Sequence, residues 1–260
     1  MTLCPAFPET VALPSLPPIS RLALLLDLDG TLLDLAPVPS AVKVPPGLAD
    51  LLHRLAARLD GALALVSGRP VAEVEALLPG LEIAIAGEHG AALRRAPGLP
   101  LERPNLPALP PDWREAARRL AAAHPGVHLE NKSHGFVLHF RRAEDSGPAL
   151  LAALEELIAG SRGRFALVPA IMAWELRPAS VDKGTAVHDL LGRAPYAGRI
   201  PLFVGDDVTD EDGIRTAREL GGFGFQVAPT FGTAARVRSW LLSLAAVGED
   251  GNKGEPCAGS

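Results

Sequence analysis

Residues 22–31 read LALLLDLDGT. Five apolar residues run together and then stop at an acid. Such a run suits a strand buried on both faces, because only a sheet covered on both sides gives up the polar alternation of a half-exposed strand. A buried strand ending in Asp27-Leu28-Asp29-Gly30-Thr31 delivers two carboxylates to the edge of a parallel sheet. Ligands of such sheets sit beyond the carboxyl ends of the strands. Gly30 admits a backbone conformation that other residues resist. Thr31 adds a hydroxyl and an N–H for an oxyanion.

Working outward, Leu48, Leu51, Leu52, Leu55 and Leu59 recur at helical spacing after prolines suited to a helix start. A short strand at 62–66 runs into Ser67-Gly68-Arg69-Pro70, and a helix near 70–78 and a strand at 83–86 follow. Strand, helix, strand, helix, strand implies a parallel sheet covered on both faces. The pattern then breaks. Prolines 97, 100, 104, 107 and 110 mark a crossing between domains. Beyond it a helix (112–123), two strand-like runs (127–132, 135–140), a second helix (148–159) and a second pair of runs (164–169, 171–177) form an internal echo. Two helix–hairpin units can pair into one antiparallel sheet with both helices on one face. After Pro178 the first pattern resumes: helix 184–191, strand 201–205, helix 211–220, strand 224–227 and helix 232–246. The expectation is an α/β protein with a doubly wound, Rossmann-like parallel-sheet core at 21–103 and 179–247. A cap at 104–178 interrupts it, an extension at 1–20 precedes it, and a frayed tail at 248–260 follows.

The chain has 260 residues, 48% of them hydrophobic, and a net charge of −5. That balance excludes a disordered chain and argues against a basic nucleic-acid footprint. Glycine (26) and proline (25) are abundant, but no Gly-X-Y period excuses a collagen reading. No apolar run reaches the roughly 18 residues of a membrane helix. The proline-rich start lacks a basic region and reads poorly as a signal peptide. Cys4 and Cys257 stand in the two terminal segments, far from any other soft ligand, so neither a disulfide scaffold nor a zinc site is expected, and a reducing cytoplasm fits.

Three further elements complete a constellation. Asp206 and Asp207, with Asp210, follow another buried-strand run. Ser67 follows the second strand, and Lys183 opens a helix. Two acid clusters that met without a cation would repel, and hard oxygen ligands suit magnesium (Mg2+). Lys183 can offset charge on a phosphoryl group, while Ser67 and Thr31 can hold its oxygens. No GxGxxG follows the first strand and no GxxxxGK[ST] occurs, so no nucleotide fingerprint is present. Arg69 reads as a local cap or ion-pair residue. His53, His124, His128 and His188 read as surface or packing residues, His89 as a shaper of the cleft floor, and His134 as exposed in a hairpin turn. Trp174 reads as support packing and Trp240 as part of the last helix's buried stripe.

DLDGT, Ser67, Lys183 and Gly205-Asp206-Asp207-Val208-Thr209-Asp210-Glu211 together resemble the haloacid dehalogenase-like phosphohydrolases. Gly87-Glu88-His89-Gly90, Glu130-Asn131-Lys132, His139-Phe140-Arg141 and Glu175-Leu176-Arg177-Pro178 narrow the resemblance to the trehalose-6-phosphate phosphatases, over roughly residues 20–245. That family has an inserted αββαββ cap, in agreement with the echo. The resemblance implies Asp27 as nucleophile and Asp29 as the acid and base. It implies Asp27, the backbone carbonyl of Asp29 and Asp206 as magnesium ligands, with Asp207 and Asp210 supporting the metal shell and placing Lys183. Glu130, Lys132, Glu175 and Arg177 would grip a small-molecule sugar phosphate, with His139 and Arg141 as companions. Coupling to a trehalose-6-phosphate synthase is implied, and neither nucleic acid nor membrane is. Phosphatases of sucrose 6-phosphate or mannosyl-3-phosphoglycerate, a phosphomannomutase-like enzyme, and a silent sugar-phosphate-binding module are the alternatives. The last would be expected to have lost Asp27 or Asp29, and both are present.

Overall fold

The computed structural model describes residues 13–36, 41–96 and 98–246. Both cysteines and the 248–260 tail lie outside them. The first sheet has six strands in the order β10-β9-β1-β2-β3-β4. They are β1 (Leu22–Leu26), β2 (Leu63–Val66), β3 (Ala84–Gly87), β4 (Ala92–Arg94), β9 (Ile200–Gly205) and β10 (Phe223–Gln226). All neighbours are parallel except β3 and β4. All five residues of β1 are buried, as the unbroken leucine run demands. Successive strands step from β1 to β2 and β3 on one side, and β9 and β10 stand on the other. The order therefore reverses between β1 and β9, which is where open α/β sheets bind ligands.

Helices α1 (Leu48–Arg58), α2 (Val71–Leu77), α5 (Lys183–Leu191), α6 (Glu211–Glu219), α7 (Val227–Thr230) and α8 (Ala234–Ala246) accompany this sheet. Leu48, Leu51, Leu52 and Leu55 are the buried face of α1. The last helix was expected from residue 232. Instead a short α7 and a turn come first, with Phe231 buried between them and Trp240 packed beside it. β4 has no counterpart in the sequence reading. It is three residues long and antiparallel, and Leu93 bridges Glu102 beyond it.

The second sheet is antiparallel, in the order β5-β6-β8-β7. Its strands are β5 (His128–Asn131), β6 (Phe136–His139), β7 (Phe165–Ala170) and β8 (Ala173–Pro178). Helices α3 (Pro111–Ala123) and α4 (Gly147–Ile158) accompany them. Trp113, Ala117, Leu150 and Leu154 from the helices meet Phe136, Leu138, Phe165 and Leu176 in a hydrophobic cluster separate from that of the first sheet. Register fixes what the other face carries. Glu130 pairs Val137, and Val137 pairs Glu175. Paired residues share a face and neighbours alternate, so Glu130, His139, Glu175 and Arg177 stand on the helix-free side. Trp174 lies on the helix side, where its Nε1–H donates to the Gly147 carbonyl at 2.9 Å.

Candidate active site

Two glycines let the strand ends approach. Gly30 has φ +80°, and a β-carbon there would be built into the Asp206 carboxylate. A β-carbon on Gly205 would strike the carboxyl of Asp210 in the same way. The DLDGT turn after β1 and the GDD turn after β9 are thus pressed together at the switch point.

The contact is organised by Lys183. It is the first residue of α5, whose N-cap Asp182 forms a reciprocal capping box with Thr185. A cation at a helix N-terminus is disfavoured by the helix dipole, so it needs anions close by. Lys183 Nζ donates to Asp27 Oδ1 and to Asp210 Oδ1, each at 2.6 Å. Asp210 is fully buried, and its Oδ2 accepts the backbone N–H groups of Asp206 (3.1 Å) and Asp207 (3.0 Å). Burial works against the Lys183 charge, but Asp27 and Asp210 overcome it and hold its pKa above the ordinary lysine value.

Carboxylate oxygens of Asp27, Asp206 and Asp210 lie within 4.8 Å of one another. One ammonium does not balance three carboxylates. Burial, then Asp210, push Asp27 well above the usual carboxylate range. Lys183 pulls it back and Asp206 adds to the push. Burial, then Asp210 and Asp207, push Asp206 up to about 7. Both shifts describe a site that lacks positive charge. Asp27 Oδ2 is buried with no hydrogen-bond partner, although Oδ1 is held by Lys183. Buried carboxylate oxygens are normally satisfied. An orphaned, aimed carboxylate oxygen beside two further carboxylates fits a hard divalent cation.

Ser67 sits at the end of β2, next to β1, and its N–H donates to the Ala86 carbonyl at 2.8 Å. The Thr31 hydroxyl is buried without a partner. Asp29 is more exposed and points at Arg69, whose Nε and Nη2 donate to its two oxygens at 2.6 and 2.7 Å. The expectation of a purely local partner for Arg69 is corrected, because Asp29 is 40 residues away in sequence.

The second sheet's helix-free face closes over this edge. Lys132 Nζ donates to the Gly68 carbonyl at 2.7 Å and lies 3.5 Å from Glu175. Glu175 Oε2 lies 3.0 Å from His89 Nε2. Burial raises the Glu175 pKa, but His89, Lys132 and Arg177 outweigh it and hold the carboxyl far below its usual range. Burial lowers the pKa of His89, against Glu175. A neutral ring bonds the carboxylate by carrying its proton on Nε2. Glu130 accepts from His139 at 2.8 Å. Burial raises the Glu130 pKa, and His139 and Lys132 more than reverse that. Arg177 is buried, and its Nη1 has no hydrogen-bond partner. Arg141 is exposed.

One contact had no role in the sequence reading. Glu88 accepts the Ser133 N–H (2.8 Å) and Oγ–H (2.9 Å), tying the β5–β6 hairpin tip to the end of β3. Glu88 and His89 both have left-handed backbones, with φ 50° and 59°. The Gly87-Glu88-His89-Gly90 run was the available signal. His134, expected to be exposed, is half-buried and bonds the Pro107 carbonyl at 3.3 Å.

A strand-end acid set at the switch point of a doubly wound sheet, under an antiparallel cap sheet, is the architecture of the capped haloacid dehalogenase-like hydrolases. The C-terminal domain of Candida albicans trehalose-6-phosphate phosphatase superposes with a TM-score of 0.72. It is 20% identical, with 87% of this chain and 93% of that one covered, a likeness that speaks for the fold. The trehalose-phosphatase family model matches residues 25–239. A probable trehalose-phosphate phosphatase of Sinorhizobium fredii is 40% identical over 210 residues, covering 80% of this chain and 78% of that protein. Trehalose-6-phosphate phosphatase of Escherichia coli is 36% identical over 225 residues, covering 86% and 82%. The chain belongs to the trehalose-phosphatase family.

Proposed function

We infer that this protein hydrolyses trehalose 6-phosphate to trehalose and inorganic phosphate. The observation that carries the reading is Asp27. It stands at the switch point with one carboxylate oxygen held by Lys183 and the other buried without a partner.

In this reading residues 21–103 and 179–247 are the catalytic unit and 104–178 the cap. The Asp27 carboxylate attacks phosphorus, and the bond from phosphorus to the sugar's O6 breaks. Asp29 gives its proton to that departing oxygen. Asp29 then takes a proton from water as the water attacks the aspartyl-phosphate, which frees phosphate and restores Asp27. Splitting one displacement into two lowers each barrier. Lys183 offsets the repulsion between a carboxylate and an anionic phosphate, and Thr31 and Ser67 hold the equatorial oxygens as fixed dipoles. Asp27, Asp206 and the Asp29 carbonyl would hold magnesium, with Asp207 and Asp210 behind them. When bound, it supplies Lewis-acid stabilisation of phosphoryl charge.

Glu130, Lys132, His139, Arg141, Glu175 and Arg177 would receive the sugar phosphate. Trehalose is neutral and rich in hydroxyls, so charged hydrogen-bonding side chains suit it. Several of these groups already bond one another, and a sugar would exchange those contacts for its own. The reading places the protein in the cytoplasm, after a synthase that makes the phosphorylated disaccharide. Among the described residues, no helix is long and apolar enough to cross a membrane.

The test is phosphate release from a panel of trehalose 6-phosphate, sucrose 6-phosphate, mannosyl-3-phosphoglycerate and glucose 6-phosphate, each with and without magnesium. Trehalose 6-phosphate should be fastest, and only with the metal. A rate no better than that on glucose 6-phosphate sinks the substrate assignment.

A further inference from the structure

The proposed mechanism asks Asp29 to hand a proton to one oxygen and take one from another. A strand-end aspartate has two free torsions, and its side chain here is 31% exposed. Something must hold its carboxylate plane. Arg69 does so in this structure, with Nε on one oxygen and Nη2 on the other. Two parallel N–H···O bonds fix a plane as well as a distance, which a single ammonium does not. Each carboxylate oxygen also has a second lone pair, so the fork orients Asp29 without consuming it.

Arg69 is itself anchored. Its backbone N–H donates to Ser67 Oγ at 3.1 Å, and its carbonyl accepts the Glu88 N–H at 2.9 Å. Its guanidinium lies 3.6 Å from Glu73, one turn along α2, and its side chain is 11% exposed. A rigid strand-to-helix turn thus carries the fork. Preorganised partners of this kind are what hold a general acid in its productive geometry.

We propose that Arg69 is a positioning residue: through its two-pronged contact it sets the Asp29 carboxylate for proton transfer to the leaving sugar oxygen and from the attacking water. The proposal rests on the reading of Asp29 as acid and base, and the experiment separates the two.

The measurement compares kcat/KM on trehalose 6-phosphate with kcat/KM on its analogue in which sulfur replaces the bridging O6. A thiolate departs without protonation, so the analogue does not need the acid, and kcat/KM reports steps up to departure. Asp29→Asn is the benchmark. It should lose about a hundredfold or more on the oxygen substrate and far less on the sulfur one. Arg69→Gln should reproduce that split, with a loss of about tenfold to a hundredfold on oxygen and less than about threefold on sulfur. Its kcat on the sulfur substrate should still fall, because water activation needs Asp29. Arg69→Lys keeps the charge and loses the fork, so it should fall between. It carries the same test if Arg69→Gln fails to fold. Equal losses on both substrates, or none, in the folded Arg69 variant overturn the positioning role. Equal losses in Asp29→Asn overturn the assignment of Asp29 instead.

Discussion

His89 Nε2 and Glu175 Oε2 lie 3.0 Å apart although 86 residues separate them. The first follows β3 of the parallel sheet and the second lies in β8 of the antiparallel one. Both are buried, so the pair joins the two sheets at the floor of the cleft. His89→Ala removes a donor to a buried, ionised carboxylate, which costs more than the bond itself is worth. The expected result is a KM for trehalose 6-phosphate raised about tenfold or more, with kcat changed less, in steady-state kinetics. A kcat loss at constant KM would place His89 in the chemistry instead.

The same pair sets a pH dependence. Glu175, Lys132 and Arg177 face His89 from the cap. Burial holds the folded ring's pKa below the roughly 6.5 of an unfolded histidine, so the unfolded state takes the proton first as pH falls. The ring's contribution is complete above about pH 6.5 and is lost progressively below it. Glu175 runs on a different scale. Its folded pKa lies below the unfolded value, so its contribution is present above about pH 4.3 and fades only in stronger acid. Between pH 7 and 5.5 the parent's urea midpoint should therefore drop relative to that of His89→Gln, the proton uptake of Asp27 and Asp206 being common to both proteins. Equal slopes in the two proteins would refute the assignment.

Asp27→Asn keeps the shape of the side chain and removes both the charge and the nucleophilic oxygen. Turnover should drop at least about a thousandfold, while calorimetry shows trehalose 6-phosphate still bound. Lys183 retains Asp210 as a partner, so the fold should survive. Full activity in this variant would end the nucleophile assignment.

Gly30→Ala tests the closeness of the two acid turns. The backbone at φ +80° strains any L-residue, by roughly 1–3 kcal/mol, and the new methyl would occupy the Asp206 carboxylate's position. Chemical denaturation should show a loss of at least that size, together with loss of activity. An unchanged midpoint would mean that the β1 and β9 turns are not packed as described.

Metal binding can be read without turnover. Magnesium should raise the thermal midpoint by mass action, because it offsets the burial and the carboxylate repulsion that together lift Asp206 to about 7. Asp206→Asn should abolish most of that rise. A rise of the same size in the variant would locate the cation elsewhere.

Much of this arrangement was legible because strong patterns carried it. The leucine run of β1, the stripe of α1 and the repeated helix–hairpin units follow from burial and periodicity. Acids placed directly after buried strands had to meet at a sheet edge, and Asp27, Asp206 and Asp210 do. What escaped was short or long-range. β4 has three residues, too few for alternation to register. Arg69 had an acidic neighbour one helical turn on, in Glu73, and nothing in the spacing preferred Asp29 to it. Ser133 and Glu88 are ordinary residues until the hairpin tip lands on the end of β3.

β1 lies between β2 and β9, and these two neighbours emerge at very different times on the ribosome. β2 follows within 40 residues, whereas β9 begins 174 residues after β1 ends. At synthesis rates of 5–20 residues per second, one edge of the most apolar strand waits about ten to thirty seconds for its partner. The nascent chain can meanwhile complete the antiparallel sheet with its two helices, whose strands are all local. The inserted unit thus also sets a delay during which the half-built sheet depends on chaperones or on its own helices for cover.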